Sequence, residues 1–567
     1  MRSSKRLFAI CLSVLLVFCF VFAGCANNSS DVARKDEPKE SSGPGASGTS
    51  GNLEPITITV YNSLAGVSPA QDNKIYKLIK EKLGVTFKFE FLVGEAQQKA
   101  GVMIAGGDYP DIIGIQGHAA QQFIDAGAFI PLEGLIDKYP NLKKHYGPLK
   151  NRIKDPDSGH VYVMPNYGVH TGTVYQNETW GPSFWIQKAV LKEFGYPKVE
   201  TLDDFFDLIR KYKEKYPTID GQPTIGFEIL TDKGRDWPLR NAPAQLAGYP
   251  NDGSVIVDNN VAKIYADKDI SKKYFKKLNE MYHLGLVDPE SFVMNYDQYI
   301  AKLSSGRVLG LYDQRWNFNK ANTSLMEQQK DERAYAPCPV TFNKNIKDWY
   351  LTNPTLNINS GYAISTKCKN PDRVMQIFDA LLSEEWQKIL QWGIEGEDYM
   401  VGSDGKFYRT AQQRVEQESN EWKLANRAEA LLDFMPKLEG TYVDGNATSP
   451  GLQPGEYYDG LRPIDKEMLS AYGVQTQGQL FSTPPKDPIY FPCYTIQIPQ
   501  GSKEQVADQK LRDYAFQYLP NIIKSNPDQF EKQWDKYVDQ LKKVDVKSLE
   551  DLYNKGIQDR IKNWSEN

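Results

Sequence analysis

Aromatic side chains stand beside carboxylate, amide or guanidinium side chains where predicted strands end and loops begin. Asp313, Arg315 and Trp316 follow the apolar run VLGLY, and Tyr61-Asn62 closes the alternating run ITITVY. Planar polar groups exchange hydrogen bonds with hydroxyls in fixed directions, and an aromatic ring offers a flat apolar platform. This combination suits a site that holds a hydroxyl-rich ligand such as a sugar.

Sequence signals for catalysis are weak. The five histidines are scattered without an H-E-x-x-H pair, and neither a G-x-S-x-G elbow nor a G-x-x-x-x-G-K-[ST] phosphate loop occurs. The stretch DPDSGH at 155–160 resembles the start of a calcium loop, but no glutamate stands at its twelfth position, so we interpret it as a β-turn. We therefore expect no metal site and no cofactor, and we assign no catalytic residue.

Length and composition limit the class of protein. The chain has 567 residues, of which 40% are hydrophobic and 25% charged, as expected of a globular protein with more than one folding unit. Its 67 basic and 72 acidic side chains give a net charge of −5, which argues against binding to nucleic acid. Only one stretch is apolar enough to lie in lipid, so a polytopic membrane protein is excluded.

That apolar stretch indicates an export signal. Basic residues precede the run 7–23, in which Ser13 is the only polar side chain, and Phe22-Ala-Gly-Cys25 follows. The run spans only about 25 Å as a helix, short of the roughly 30 Å of a bilayer's hydrocarbon core. Small residues that end at a cysteine resemble the bacterial lipobox, although Phe22 stands where leucine is usual. We predict that residues 1–24 are a lipoprotein signal peptide and that Cys25 becomes the lipid-modified first residue.

The segment that follows differs from the folded body. Residues 25–54 are rich in Ser, Gly and Asn and are predicted to form a disordered tether. An uncleaved membrane anchor and a plain secretion signal are the alternatives to lipidation. The folded body keeps only Cys338, Cys368 and Cys493, which we expect to be buried, inert thiols, with one disulfide still open.

The folded body opens with alternating strands and helices. Ile56–Tyr61 alternates β-branched residues, Ser68 offers an N-cap for an amphipathic helix, and a second alternating run follows at 85–91. A further helix is expected at 95–105, and a short buried strand is expected to begin at Asp111. This βαβαβ order predicts a parallel, doubly wound sheet with its ligand site at the carboxyl ends of the strands.

The alternation recurs in a second block. Thr201 is expected to cap a helix whose apolar face is formed by Leu202, Phe205, Phe206, Ile209 and Tyr212. Another helix is expected to begin near Asn370-Pro371, with an apolar stripe formed by Val374, Ile377, Phe378, Leu381 and Leu382.

Several strings, in this order, resemble the extracytoplasmic solute-binding proteins of family 1. The strings that resemble the first lobe are GGDYPDII (106–113), GAFIPLEGLIDKYPNL (127–142) and GHVYVMP (159–165). Those that resemble the second lobe are the stretch from Trp185 to Pro217, LGLVDPESF (284–292) and SSGRVLGLYDQRW (304–316). The stretch 361–387 and WGIEGEDYMVGSDGKFY (392–408) complete the resemblance, which is closest to large lipid-anchored members that feed oligosaccharide importers of the ABC type.

The resemblance implies an α/β fold with two periplasmic-binding-protein-like lobes of type II. Each lobe would be a doubly wound, mostly parallel sheet, with a hinge between the lobes and the ligand in their cleft. Lobe 1 is predicted at 55–165 plus about 361–400, and lobe 2 at about 166–360 plus about 401–567.

The resemblance also implies a function and its partners. The chain would be a monomeric lipoprotein on the extracytoplasmic face of the cell membrane. It would capture an oligosaccharide and deliver it to the permease subunits of an ABC transporter, with no enzymatic activity and no nucleic-acid partner.

The candidate ligand contacts lie mainly on loops that follow predicted strands or beside rings in such loops, while Asp111 heads the strand after the glycine pair at 106–107. They are Asn62, Asp111, Trp180, Asp313, Arg315, Trp316, Trp392 and Glu395. Each has a structural alternative: Asp111 could cap a turn, Asp313 and Arg315 could form a local ion pair, and any tryptophan could pack in a core. The glycines around Glu395 could merely permit a turn.

Two other functional classes stay open. An exported glycoside hydrolase could hold a catalytic carboxylate pair among the 72 acidic side chains, but one βαβαβ lobe followed by a second block differs from the common hydrolase folds. A surface lipoprotein without a transport role fits the tether but not the strings that resemble solute-binding proteins.

The lipobox interpretation predicts the effect of a single substitution. Cys25→Ser removes the thiol that would carry the lipid, so the variant is expected to leave the membrane fraction for the soluble one. Fractionation of cells that express either form measures this. Cys368→Ser serves as the matched control, and equal membrane retention of Cys25→Ser and the parent chain would contradict the anchor.

Overall fold

The computed structural model describes residues 54–353, 355–358 and 360–565. The predicted signal peptide, Cys25 and nearly all of the predicted tether lie outside these ranges, so they stay predictions. Within the described ranges, no helix has both the length and the apolar character needed to cross a bilayer.

The strands are short, and most belong to two sheets. In chain order they are β1 (Ile56–Asn62), β2 (Val85–Phe91), β3 (Ile112–Gln116), β4 (Val163–Pro165), β5 (His170–Thr171), β6 (Pro182–Gln187), β7 (Thr218–Ile219), β8 (Gln222–Pro223), β9 (Ile225–Glu228), β10 (Val255–Asp258), β11 (Val261–Ile264), β12 (Val308–Gln314), β13 (Tyr335–Cys338), β14 (Ser360–Ile364), β15 (Met400–Val401), β16 (Phe407–Tyr408) and β17 (Glu439–Gly440).

Helices connect and cover these strands. They are α1 (Lys74–Leu83), α2 (Ala96–Gly106), α3 (His118–Asp125), α4 (Glu133–Lys138), α5 (Pro140–Tyr146), α6 (Lys150–Ile153), α7 (Lys188–Glu193), α8 (Leu202–Lys215), α9 (Trp237–Arg240), α10 (Ala242–Leu246), α11 (Asp269–His283), α12 (Tyr296–Ser304), α13 (Arg315–Glu327), α14 (Pro371–Leu381), α15 (Glu384–Gln391), α16 (Ala411–Glu418), α17 (Asn420–Asn426), α18 (Glu429–Leu432), α19 (Pro454–Gly460), α20 (Pro463–Tyr472), α21 (Lys503–Lys524), α22 (Phe530–Leu541) and α23 (Val546–Ser565).

Each main sheet contains a single reversed strand. The first sheet has the order β2-β1-β3-β14-β4, and only β14 runs antiparallel to its neighbours. The second has the order β13-β6-β12-β9, and only β6 is reversed. The predicted fold, two lobes built on mostly parallel sheets, is confirmed.

The reversed strands begin where the chain arrives from the other sheet. β6 starts at Pro182, which pairs with Gln314 at the end of β12, and β14 starts at Ser360, which pairs with Gln116 at the end of β3. A strand that enters at the carboxyl-end edge of a parallel sheet has to run away from that edge. The carboxyl ends of the other strands therefore gather beside the segments that join the lobes.

Local sequence signals account for the helices that cover the sheets. The Thr201 hydroxyl accepts from the amide of Asp204, whose carboxylate accepts from the Thr201 amide in return, so the predicted cap of α8 is confirmed as a capping box. The predicted apolar faces of α8 and α14 are buried in the cores of the second and first sheets.

The predicted start of α1 at Ser68 is wrong. The helix begins at Lys74, and the side chain of Asn73 caps it by accepting from the amide of Tyr76 at 3.0 Å. The Asn73 amide group also donates to the carbonyls of Leu424 and Arg427. Contacts with a segment more than 300 residues away along the chain therefore fix this helix start, and local propensity cannot reveal them.

Three segments join the two lobes: 166–181, 339–359 and the stretch from 439 to the start of α20. The first and third pair through β5 and β17, which run parallel. Gln176 donates to the carbonyl of Thr352 at 3.1 Å, and Asn177 donates to that of Gly451 at 3.0 Å. These bonds hold all three segments together as one hinge region.

The lobe boundaries stay a prediction, and the cores suggest one refinement of it. The segment 428–438 packs in the core of the first sheet through Ala428, Leu431, Phe434, Met435 and Leu438. We propose that this segment belongs with lobe 1, although the predicted boundary places everything after about residue 400 in lobe 2.

The three cysteines of the folded body are free thiols. Cys338 and Cys493 are buried as predicted, whereas Cys368 is only half-buried. Burial raises the pKa of Cys368 to about 11, so this thiol stays protonated and unreactive near neutral pH.

Candidate functional site

A cavity of about 770 Å³ lies between the end of the second sheet and the C-terminal part of the chain. Lobe 1 contributes Gly117, which directly follows β3. Aromatic side chains contribute part of the wall, namely Trp237, Trp316, Tyr494, Phe516 and Tyr553. Amide side chains contribute another part, namely Asn241, Asn251, Gln314, Gln497, Gln505 and Gln509. The carboxyl-end edge predicted to hold the site therefore does border this cavity.

Two tryptophans form an aromatic platform in this cavity. Trp316, near the start of α13, is 49% exposed, and its ring centre lies 5.3 Å from that of Trp237 at an interplanar angle of 42°. The indole of Trp316 donates to the side chain of Gln314 at 2.7 Å. The ring is thus held on one side and open on the other, as a platform for a weakly apolar ligand face requires.

The buried carboxylate of Asp313 holds this platform from behind. It accepts hydrogen bonds from the Trp237 indole at 3.1 Å, the Tyr299 hydroxyl at 2.9 Å and the Asn317 amide group at 2.8 Å. Because Asp313 is fully buried, the prediction that it contacts ligand does not fit its position. Its role is to orient Trp237, and the alternative of an ion pair with Arg315 is also wrong, because Arg315 pairs with Glu178.

Burial raises the pKa of Asp313 to about 6, even though its hydrogen-bond donors favour the charged form. The raised pKa means that a desolvated charge is retained at neutral pH at a cost in folding free energy. The network around it offsets part of that cost.

A second aromatic side chain lies on the other side of Trp316. Trp180 is 47% exposed, and the guanidinium of Arg315 stacks on its ring at 4.7 Å. Glu178 accepts from the Trp180 indole at 2.8 Å and also pairs with Arg315. Trp180 and Trp316 together line a shallower cavity of about 340 Å³.

The long helix α21 supplies the facing wall of the larger cavity. Its polar residues recur with the 3.6-residue period and point to the cavity, whereas Ala507, Leu511 and Ala515 are buried on the opposite side. The cavity-facing residues are Gln505, Asp508, Gln509, Arg512, Asp513 and Phe516. The sequence analysis did not identify these residues, although their helical spacing could have predicted one polar face on this helix.

Charges around the cavity balance each other. Three basic side chains, Lys233, Arg240 and Arg512, line the cavity together with three acidic ones, Asp236, Asp508 and Asp513. Arg512 lies 2.9 Å from Asp508 and 3.5 Å from Asp236, which also pairs with Arg240. Asp236 and Asp508 are thus held by arginines, whereas Asp513 accepts from the Gln509 amide group at 3.2 Å, and the charged side chains of the wall sum to zero.

Two predicted contacts in lobe 1 lie away from this cavity surface. Asn62 is fully buried, where it donates to the carbonyl of Ala430 at 2.6 Å and accepts from the Tyr362 hydroxyl. Asp111 precedes β3 and accepts from the amide and hydroxyl of Thr59. Since Asp111 stands at the amino end of its strand, it lies away from the edge that borders the cavity.

Trp392 and Glu395 are not brought to the site either. The Trp392 ring is fully buried against Tyr399, Phe407 and Tyr442, so it cannot serve as a ligand platform. Glu395 is exposed in a turn that bridges to Tyr399, and neither residue lines the two cavities beside Trp316. The structure thus brings together Trp180, Asp313, Arg315 and Trp316 from the predicted set.

Comparison with known proteins places these features in context. A family described as bacterial extracellular solute-binding protein matches residues 74–393. The fructooligosaccharide ABC transporter substrate-binding protein FusA of Streptococcus pneumoniae is 27% identical over 284 residues, 48% of this chain and 52% of FusA. The match thus spans about half the length of that relative. Lipoprotein LipO of Bacillus subtilis is 22% identical over 472 residues, 79% of this chain and 82% of LipO.

Solved structures share the fold over nearly the whole chain. FusA of S. pneumoniae in complex with kestose superposes with a TM-score of 0.63 at 18% identity, covering 90% of this chain and 100% of FusA. A solute-binding protein of an ABC transporter for HMO from Bifidobacterium longum infantis gives 0.62 at 17% identity, covering 89% of this chain and 99% of that one. At these identities the likeness shows the fold alone.

The raised pKa of Asp313 predicts a change in the pH dependence of stability. The folded state holds this proton up to about pH 6, whereas an unfolded aspartate releases it near pH 4, so the group lowers the free energy of unfolding as pH rises through that window. In Asp313→Asn this contribution is absent. The difference in free energy of unfolding between the variant and the parent chain should therefore change by up to about 3 kcal/mol between pH 4 and 7. Urea unfolding at several pH values measures it, and two parallel stability curves would contradict the assignment.

Proposed function

This chain belongs to the bacterial extracellular solute-binding protein family, and on that premise we propose that it captures an oligosaccharide beside Trp316 and delivers it to an ABC permease. The observation that carries the proposal is the half-exposed Trp316 ring, braced by Trp237 and faced by the polar stripe of α21. Ring faces and directed amide groups are the two elements that sugar recognition needs. The similarity to FusA, a fructooligosaccharide-binding protein, and to the HMO-binding Bifidobacterium protein supports the same ligand class.

The balanced charges of the wall favour a neutral ligand. Three basic and three acidic side chains line the cavity, and most are paired with each other. A charged ligand would have to break these pairs or leave its own charge uncompensated, whereas hydroxyls can exchange hydrogen bonds with the pairs as they stand.

Trp316 lines both the cavity of about 770 Å³ and the cavity of about 340 Å³, so the proposed site has two subsites for sugar units. Units held in the larger cavity would contact Trp237, Trp316 and α21, and a longer chain would continue over Trp180. Arg315 would act by holding the Trp180 ring and by donating at its edge. The ligand-binding roles of Trp180, Arg315 and Trp316 form part of this proposal.

Capture would proceed by closure of the two lobes. Of the described residues that line the cavity, Gly117 is the one from lobe 1. Most contacts with a ligand in this arrangement would therefore come from lobe 2. A ligand that gains contacts from both lobes only in the closed state shifts the population toward that state. The closed form would then dock to the permease as a monomer.

The proposed location is the outer face of the cell membrane, with a lipid on Cys25 as the anchor. The lipobox at residues 22–25 supports it, as does the similarity to a protein named lipoprotein LipO. A flexible tether would keep the binding protein at high effective concentration near its permease.

Removal of the platform tests the ligand site. Trp316→Ala is expected to weaken oligosaccharide binding about tenfold or more, because the ring contact is lost, while Trp316→Phe keeps part of the affinity. Isothermal titration with neutral fructo-oligosaccharides and milk-type oligosaccharides measures this. Trp422→Ala is the matched control because Trp422 lines neither cavity. Equal affinity of Trp316→Ala and the parent chain for a bound sugar would contradict the proposed site.

Closure of the two lobes can be measured separately from ligand binding. At saturating ligand the radius of gyration from small-angle X-ray scattering is expected to fall, because the lobes approach each other. At a ligand concentration only a few times the Kd of the parent chain, the radius of gyration of Trp316→Ala should fall less than that of the parent chain. A radius that is unchanged while titration shows full occupancy would contradict a hinge mechanism.

A further inference from the structure

A separate cavity, of about 430 Å³, lies between lobe 1 and the last helix. Arg152, Lys154 and Asp155 line it from the α6 side, and Lys555, Asp559 and Arg560 line it from α23. Four basic and two acidic side chains thus face this space, whereas basic and acidic side chains balance in the cavity beside Trp316. Ile496 and Gln497 line both cavities, so a single loop separates them.

The two acidic side chains are already engaged. The carboxylate of Asp155 accepts from the amide of Ser158 at 2.8 Å and from its hydroxyl at 2.7 Å, which closes the predicted β-turn. Asp559 pairs with Lys555 one helical turn away. Among the described residues, Arg152, Lys154 and Arg560 are therefore the basic side chains of this cavity that pair with no carboxylate.

Arg152 and Arg560 both stack on the ring of Trp564. The centres of their guanidinium groups lie 4.8 Å and 4.7 Å from the ring centre. Arg560 donates to the carbonyls of Tyr490 and Pro492, whereas the Nε of Arg152 is buried without a hydrogen-bond partner. Neither guanidinium forms an ion pair with a carboxylate of the described residues.

Burial of two neighbouring guanidinium charges is electrostatically unfavourable. Burial lowers the pKa of Arg152, and it lowers the pKa of Arg560 to about 10, where the nearby carboxylate of Asp252 opposes the reduction and the positive charge of Arg152 adds to it. Two neighbouring cations in a partly desolvated space are unfavourable unless an anion compensates them, and the Trp564 ring supplies only part of that compensation.

We propose that this cavity binds a small oxyanion of the phosphate class, with the Arg152 guanidinium as its principal ligand. The planar fork of an arginine matches two oxygens of such an anion, and stacking on Trp564 fixes the plane of that fork before the ligand arrives. Lys154 supplies a second positive charge from the same side of the cavity. The site is separate from the proposed oligosaccharide site and does not depend on it.

Thermal unfolding of the purified full chain tests this inference with inorganic phosphate as the probe. At constant ionic strength and pH 7, phosphate in place of chloride is expected to raise the Tm in a saturable way. Arg152→Gln should weaken the apparent phosphate affinity about tenfold, because a charge-assisted bidentate contact is lost. Arg373→Gln, which alters a half-buried arginine outside both cavities, should leave the phosphate response unchanged.

Two further measurements separate loss of phosphate binding from poor folding and from loss of the sugar site. Broadening of the phosphate ³¹P signal by the unmodified chain reports binding directly, even if Arg152→Gln folds poorly. Trp316→Ala should keep the full phosphate response, so failure of the sugar site and failure of the anion site are distinguishable. The inference is overturned if phosphate at matched ionic strength neither raises the Tm nor broadens its signal, or if Arg152→Gln binds phosphate as tightly as the parent chain.

Discussion

The direction in which the chain enters each sheet determines where this protein can bind anything. β6 and β14 both start at the edge where the joining segments arrive, so they run against the other strands. The parallel strands consequently end at that same edge, and the residues after them face the space beside the hinge region. Gly117 after β3 and Trp316 after β12 border the cavity for this reason.

Behind the open ring of Trp316 lies a layer of buried polar groups whose function is orientation. Asp313 carries a charge in a fully buried position and holds Trp237, Tyr299 and Asn317 at hydrogen-bond distance. An apolar residue at 313 would avoid the desolvation cost but would leave those donors unpaired and free to turn. The site therefore trades folding free energy for a tryptophan surface of fixed geometry.

Local sequence patterns predicted the alternating strands and helices, whereas the two-lobe fold was expected from the resemblance to solute-binding proteins. The capping box of Thr201 and the apolar faces of α8 and α14 are contained in short windows, and Trp316 directly follows a strand. Asn62 is buried by partners from distant parts of the chain, Tyr362 and Ala430, which no local pattern reveals. Trp392 is buried by Tyr399 and Phe407 from the loop that follows it and by Tyr442, and the sequence does not distinguish such a small aromatic cluster from an open loop. Asp111 heads β3 as the sequence predicts, and this position at the amino end of the strand keeps it away from the carboxyl-end edge that borders the cavity.

The order in which the chain visits the lobes also bears on how the protein acquires its structure after export. The first sheet is incomplete until β14 is inserted beside β3, and the core of the second depends on α21, α22 and α23 from the end of the chain. Neither half can finish its core while much of the polypeptide is still crossing the membrane. A high proportion of contacts between distant residues slows folding and prolongs exposure of apolar segments. The long reach of these contacts thus gives chaperones and proteases more time to act on the chain before its cores are complete.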